Sequence, residues 1–242
     1  MDFLQWIKYF EKNSIHFQDI NWEISSRLNE NEKETLKASL QQFQKGENSE
    51  GKHLINYAKT FSDDQYLKCI KLFINEEQTH AKVLGRFMEQ NDIPKIKSHW
   101  LDNIFRSLRK FSGLHNTIIV LVTAEIIAKI FYKALEQATT SLLLKQICNQ
   151  ILKDEDEHIA FQCYTLKLLF ARRNYMMKVF IRTFHLVLMV GTIFIVWLNH
   201  KRVLKKGGYF FYKFFLETLM VFLQASETVK TKYQFQQPSL AK

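Results

Sequence analysis

The chain has 242 residues, 47% of them hydrophobic, with two prolines, seven glycines and a formal net charge of +10. So few helix breakers, and no run that alternates apolar with polar residues, exclude a β-fold and leave an all-α class. The positive charge gathers toward the C-terminus, at Arg172-Arg173, His200-Lys201-Arg202 and Lys205-Lys206, with no recognition motif and no basic stripe interleaved with aromatics, so nucleic acid is not an expected partner.

Residues 1–28 read as a helical arm of one or two short amphipathic helices, with Trp6, Phe10, Phe17 and Trp22 as packing anchors. A first long helix is expected from about Asn29-Glu30-Asn31 to Thr60, with Gly46 and Gly51 on either side of Glu47. Glycine inside a helix costs roughly 1 kcal/mol against alanine, so the pair calls for close packing or access to a site. A second helix runs from about Ser62 to Gln90 and is stopped by Asn91-Asp92-Ile93-Pro94. Residues 95–112 cross over with a short helix of their own, before a third helix at about Leu114–Glu136 and a fourth at about Ser141–Phe170. These four helices define one bundle over residues 29–172. The remainder, 173–242, is a helical extension: a fifth long helix over 174–204, a break at Gly207-Gly208, a sixth helix to about Ala225 and a polar, frayed tail from Ser226. Cys69, Cys148 and Cys163 form no CxxC and are odd in number, which suits a reducing compartment. The first residues lack a basic and then apolar leader, so the expected location is the cytoplasm or the inner face of its membrane.

One spacing occurs twice. Glu47 is followed 30 residues later by Glu77 and then by His80; Glu125 is followed 30 residues later by Glu155 and then by His158. The midpoints are Ser62 and Thr140, both in runs of helix-capping residues. Folding each segment at its midpoint places the lone Glu and its partner pair about 22 Å from the turn, at 1.5 Å per residue. The i, i+3 spacing of Glu77 with His80, and of Glu155 with His158, puts each pair on one helix face. Two such hairpins bring four carboxylates and two imidazoles to one level of a bundle, a candidate ligand set for two metal ions. Glu125 is the only charge between Thr117 and Ala128. A helix that apolar is buried, and a buried carboxylate requires a partner, a proton or a metal. A lone Glu-x-x-His is common on solvated faces; the matched duplication is not. Glu50, one turn beyond Glu47, is a rival for the same place, though the matched 30-residue spacing favours Glu47; it is otherwise a partner behind the ligands, a surface residue or an additional ligand. Glu76 and Asp154 precede the two Glu-x-x-His glutamates, and such acids can accept the second N–H of a ligand histidine.

The pattern Glu…Glu-x-x-His…Glu…Glu-x-x-His resembles that of the ferritin-like di-iron carboxylate proteins, over about residues 30–170. Asp154-Glu155-Asp156-Glu157-His158 looks like the Asp-Glu-x-x-His of their oxygen-activating members. Gly46-Glu47-Asn48-Ser49-Glu50-Gly51 is similar to a segment of little-characterised bacterial ferritin-like proteins. The resemblance implies a ferritin-like four-helix bundle with one long crossover, and metal ligands Glu47, Glu77, His80, Glu125, Glu155 and His158. It implies two iron ions, with manganese as the other hard-ion choice. The implied function is an O2-dependent oxidoreductase that hydroxylates or desaturates a small, apolar organic substrate. Its electrons would come from an external donor, since no flavin or nicotinamide fingerprint is evident. The alternatives are a ferroxidase or iron-handling protein and, third, a metal-free helical interaction protein. A dimer is compatible with any of these. The basic, aromatic C-terminal third is unlike storage ferritins, and two further departures stand out. No CxxC pair is present, and Lys129 lies one turn after Glu125, where several monooxygenases carry threonine.

The stretch Thr183–Leu198 has no Lys, Arg, Asp or Glu and is flanked by Arg182 and His200-Lys201-Arg202. It is short of the roughly 20 apolar residues of a spanning helix. Three placements remain open on sequence: a core helix packed on the bundle, an interfacial anchor, or a single span.

Overall fold

A computed structural model describes residues 2–24, 27–61, 63–98, 113–171 and 173–230. Among these residues the chain is all-α and packed as a helical bundle, with no strand. The helices are α1 (Phe3–Asn13), α2 (Glu30–Glu47), α3 (Lys52–Thr60), α4 (Asp64–Gln90), α5 (Gly113–Ala138), α6 (Leu142–Ala171), α7 (Tyr175–Lys206) and α8 (Phe211–Lys230), with a 3-10 turn at His16–Asp19.

The starts follow side-chain capping. Asn29 accepts from the Glu32 amide at 2.9 Å to begin α2, and Asp63 accepts from the Tyr66 amide at 2.9 Å to begin α4. Each satisfies an amide that the first helical turn would otherwise leave unpaired. The α5–α6 turn falls at Thr139–Ser141, as expected, and the buried Glu32 carboxylate clamps it by accepting from the Thr140 amide at 2.6 Å.

The expected first helix is two helices. The backbone leaves the helical path after Glu47, and Gly51 enters the left-handed region at φ 61°. A side chain at Gly51 would also run into Ile74 of α4. Glycine is needed there for conformation and for close approach, and the break ends α2 at Glu47. The expected helix within 95–112 lies outside the described residues from 99 on; residues 95–98 are not helical. The tail differs as well, because α8 continues past Ser226 to Lys230; residues 231–242 lie outside the described set.

The core sits between α4, α5 and α6. α5 is buried on nearly all sides, as its composition requires, and packs along α6, while α4 packs on α2 and α3. The N-terminal arm lies on α4. Trp6 and Phe10 are each 2% exposed, and Phe17 and Trp22 pack partly buried against the core. Burying one large apolar side chain contributes about 1.5–3 kcal/mol, so these anchors fasten the arm where the last residue of α1, Asn13, reaches the interior. α7 rests on α5 and α2, and α8 on α6, α7 and α5.

Candidate metal centre

Each helix of the bundle delivers its residues at mid-length or at a break. Glu47 is the last residue of α2, Glu77 and His80 lie mid-way along α4, Glu125 mid-way along α5, and Glu155 and His158 mid-way along α6. The structure gathers them into two overlapping groups: Glu47, Glu77, His80 and Glu155, and Glu77, Glu125, Glu155 and His158. Within each group one donor atom per residue lies within 4.8 Å of all the others. Glu77 and Glu155 belong to both groups. His80, Glu155 and His158 are fully buried, Glu47 and Glu125 nearly so, and Glu77 is half-buried.

Glu50 is not in either group. Its side chain is 72% exposed and pairs with Lys52 at the surface, so the break after Glu47 separates the two candidates. Lys129 also points away, to an ion pair with Asp156.

The histidines are oriented from behind. His80 donates through Nε2 to Asp154 Oδ2 at 2.9 Å, and His158 donates through Nε2 to Glu76 Oε2 at 2.9 Å. Each acid therefore serves the histidine of the other helix. Burial opposes ionisation of Asp154, but the hydrogen bonds from His80 and Asn13 outweigh it and hold the carboxyl below its usual range. A neutral imidazole that donates through Nε2 keeps its lone pair on Nδ1. Burial lowers the His158 pKa, but the carboxylates of Glu125, Glu76 and Glu77 outweigh it and hold the ring well above the usual range, so a cation would bind there by displacing the Nδ1 proton. Nδ1 faces the cluster: His158 Nδ1 is 3.0 Å from Glu77 Oε1 and 3.8 Å from Glu125 Oε2. Rings fix the imidazole planes further, with Phe17 5.5 Å from His80 and Phe73 4.8 Å from His158, both edge-to-face.

Asn13 and Tyr132 also reach the cluster, and neither figured among the candidate site residues. Asn13 Nδ2 donates to Glu76 Oε1 and, at 2.8 Å, to Asp154 Oδ1, tying together the two acids that hold the histidines. Gln150 adds a third donor to Asp154 at 2.9 Å. The buried Tyr132 hydroxyl donates to Glu47 Oε1 at 2.7 Å. Two faint signals existed in the sequence. Tyr132 lies two helical turns after Glu125, on the same face, and Asn13 continues the apolar stripe Phe3, Trp6, Phe10.

The donor set fits cations. His80 Nδ1 and both oxygens of Glu155 are buried without a hydrogen-bond partner, and His158 Nδ1 meets Glu77 Oε1 at 3.0 Å inside the cluster. Burial, followed by the charge of Glu77, pushes Glu47 well above the ordinary carboxylate range; burial and Glu125 do the same to Glu155. Carboxylates crowded this way hold protons, or they hold metal, which reverses the electrostatics. Three carboxylates with one imidazole per group are donors that suit divalent metal cations.

A cavity of about 460 Å³ opens beside the cluster. Its lining includes Gly46 and Ser49 at the helix break, Phe73, Ile74 and Leu121 on the core side, and Glu77.

Neither a protein-family model nor a curated protein matches the sequence.

Proposed function

We propose that Glu47, Glu77, His80, Glu125, Glu155 and His158 hold two iron ions, or two manganese ions, in a ferritin-like bundle over residues 29–172, and that the protein is an O2-dependent oxidoreductase. The observation that carries this reading is the convergence of two buried three-carboxylate, one-histidine groups that share Glu77 and Glu155, with both imidazole Nδ1 atoms aimed at the clustered carboxylates. Four carboxylates balance two divalent cations, so a loaded site is near neutral in a low-dielectric interior.

Iron held by these residues would supply redox chemistry with O2, for hydroxylation or desaturation of an organic substrate. The chain's own residues do the rest. Asp154 and Glu76 keep the Nε2 protons in place and so present Nδ1. Tyr132 holds one oxygen of Glu47 and leaves the other for metal. The cavity offers Phe73, Ile74 and Leu121 as an apolar wall beside Glu77, in the size range of small-molecule sites. Reducing equivalents come from an external donor.

Repeated aerobic additions of ferrous iron, with O2 consumption and particle size followed together, test the reading. An oxidoreductase is expected to consume O2 for a single turnover per site and then stop without building a mineral core. Sustained uptake of iron into a large hollow assembly would replace this reading with storage.

A further inference from the structure

α7 carries an apolar face that no described part of the chain covers. It is long and apolar enough to cross a membrane by length and composition, yet only 28% of its most apolar 18-residue stretch is buried. A core helix of that composition would be mostly buried. The exposed residues are not scattered. Phe180, Phe184, Val187, Phe194 and Leu198 recur at three- and four-residue steps on one face and are 37–69% exposed. Gly191 is exposed on the same line, which continues into exposed Lys201 and Lys205. Nearby, Tyr175, Met176, Phe210 and Tyr212 are exposed by 64–76%. A continuous apolar strip of this kind marks an interaction surface.

The charge around the strip selects its occupant. α7 contains Lys178, Arg182, Lys201, Arg202, Lys205 and Lys206 and no Asp or Glu. A second copy of the chain laid on this face would bring cations against cations without an acid on either helix to answer them. An anionic lipid surface answers all of them, and long basic side chains can reach its headgroups while their stems lie on apolar surface. Ile181, Met189, Ile193, Val196, Val203 and Leu204 are buried along the opposite side of α7, and α7 packs on α5 and α2. A helix fastened lengthwise to a bundle cannot stand across a bilayer without drawing the bundle in with it. We propose that this face of α7, with the start of α8, docks the protein flat on an anionic membrane surface, α7 lying in the headgroup plane.

The test is co-sedimentation of the full chain with phosphatidylcholine vesicles that contain or lack phosphatidylglycerol. Binding is expected to require phosphatidylglycerol and to weaken as salt rises. Replacing Lys201 and Lys205 together with glutamine is expected to weaken it roughly 30-fold, at about 1 kcal/mol per charge. Val187→Glu is expected to abolish it while circular dichroism and metal content stay as in the wild type; neither property depends on an exposed position. Absence of vesicle binding by the wild-type chain would overturn the proposal. So would a stable dimer that Val187→Glu dissociates, which would give the face to a second copy. Retention of bound protein through alkaline carbonate extraction would mean that α7 spans, and would overturn the flat placement.

Discussion

Replacing Asn13 with leucine removes both donors that tie Glu76 to Asp154 and leaves side-chain volume nearly unchanged. A hydrogen bond to a charged partner is worth about 1.5–3 kcal/mol. Among the described residues, Asp154 keeps Gln150 and His80 as side-chain donors, whereas Glu76 keeps only His158. The loss therefore falls mainly on Glu76, and the metal-free protein is expected to lose about 3 kcal/mol in a urea titration. The second effect is on metal. Removing a group that orients a ligand's partner typically weakens binding 10- to 100-fold, or about 1.4–2.7 kcal/mol, measurable by competition with a chelating dye. The group held by His158 is expected to weaken more than that held by His80. Asn13→Asp keeps the shape but sets a third carboxylate against two, so it is expected to exceed the leucine variant on both readouts. If Asn13→Leu matches the wild type in unfolding and in metal affinity, the N-terminal arm and its hydrogen bonds do not support the site.

Three further outcomes are expected. Glu125→Ala is expected to abolish tight binding of at least one metal ion, and Glu50→Ala to leave two bound; the reverse pattern in a metal titration would assign the α2 ligand to Glu50. Gly51→Ala combines a strained left-handed backbone with a collision against Ile74 and should cost about 1–3 kcal/mol in denaturant unfolding; an unchanged midpoint would mean that the α2–α3 break is not fixed at this residue. Burial, then the charge of Arg173, pushes His115 down to about 4, while an unfolded histidine titrates near 6.5. Between those values the unfolded chain binds the extra proton, so folding weakens as pH falls through the window. His115→Leu is expected to flatten that part of the stability–pH curve, and parallel curves for variant and wild type would contradict it.

Much of the fold could be read from the chain because its signals are local. Asn29 caps the helix expected to begin there, Asp63 caps the next one residue after the expected Ser62, Thr139–Ser141 makes its turn, and an all-round apolar run became the buried α5. The candidate site was legible for a different reason: one spacing repeated twice constrains two hairpins at once, which no single Glu-x-x-His could do. What escaped depends on contacts distant in sequence. Asn13 is 63 residues from Glu76 and 141 from Asp154, and nothing local marks it as the link between them. The choice of histidine for each acid was also hidden. Within one helix Glu76 faces His80, and Asp154 faces His158, at the i, i+4 spacing that ordinarily pairs side chains. The structure crosses them, because each imidazole turns Nδ1 to the cluster and can offer Nε2 only to the opposite helix. The break after Glu47 was signalled by two glycines but not located, since only the packing of Ile74 against Gly51 shows which glycine leaves the helical conformation.

The most direct test of the di-metal reading is X-ray anomalous scattering from crystals loaded anaerobically with ferrous iron. Two peaks are expected per chain, about 3.5–4 Å apart, both between Glu77 and Glu155, one beside His80 Nδ1 and the other beside His158 Nδ1. A single peak, or none at this level of the bundle, would contradict the account.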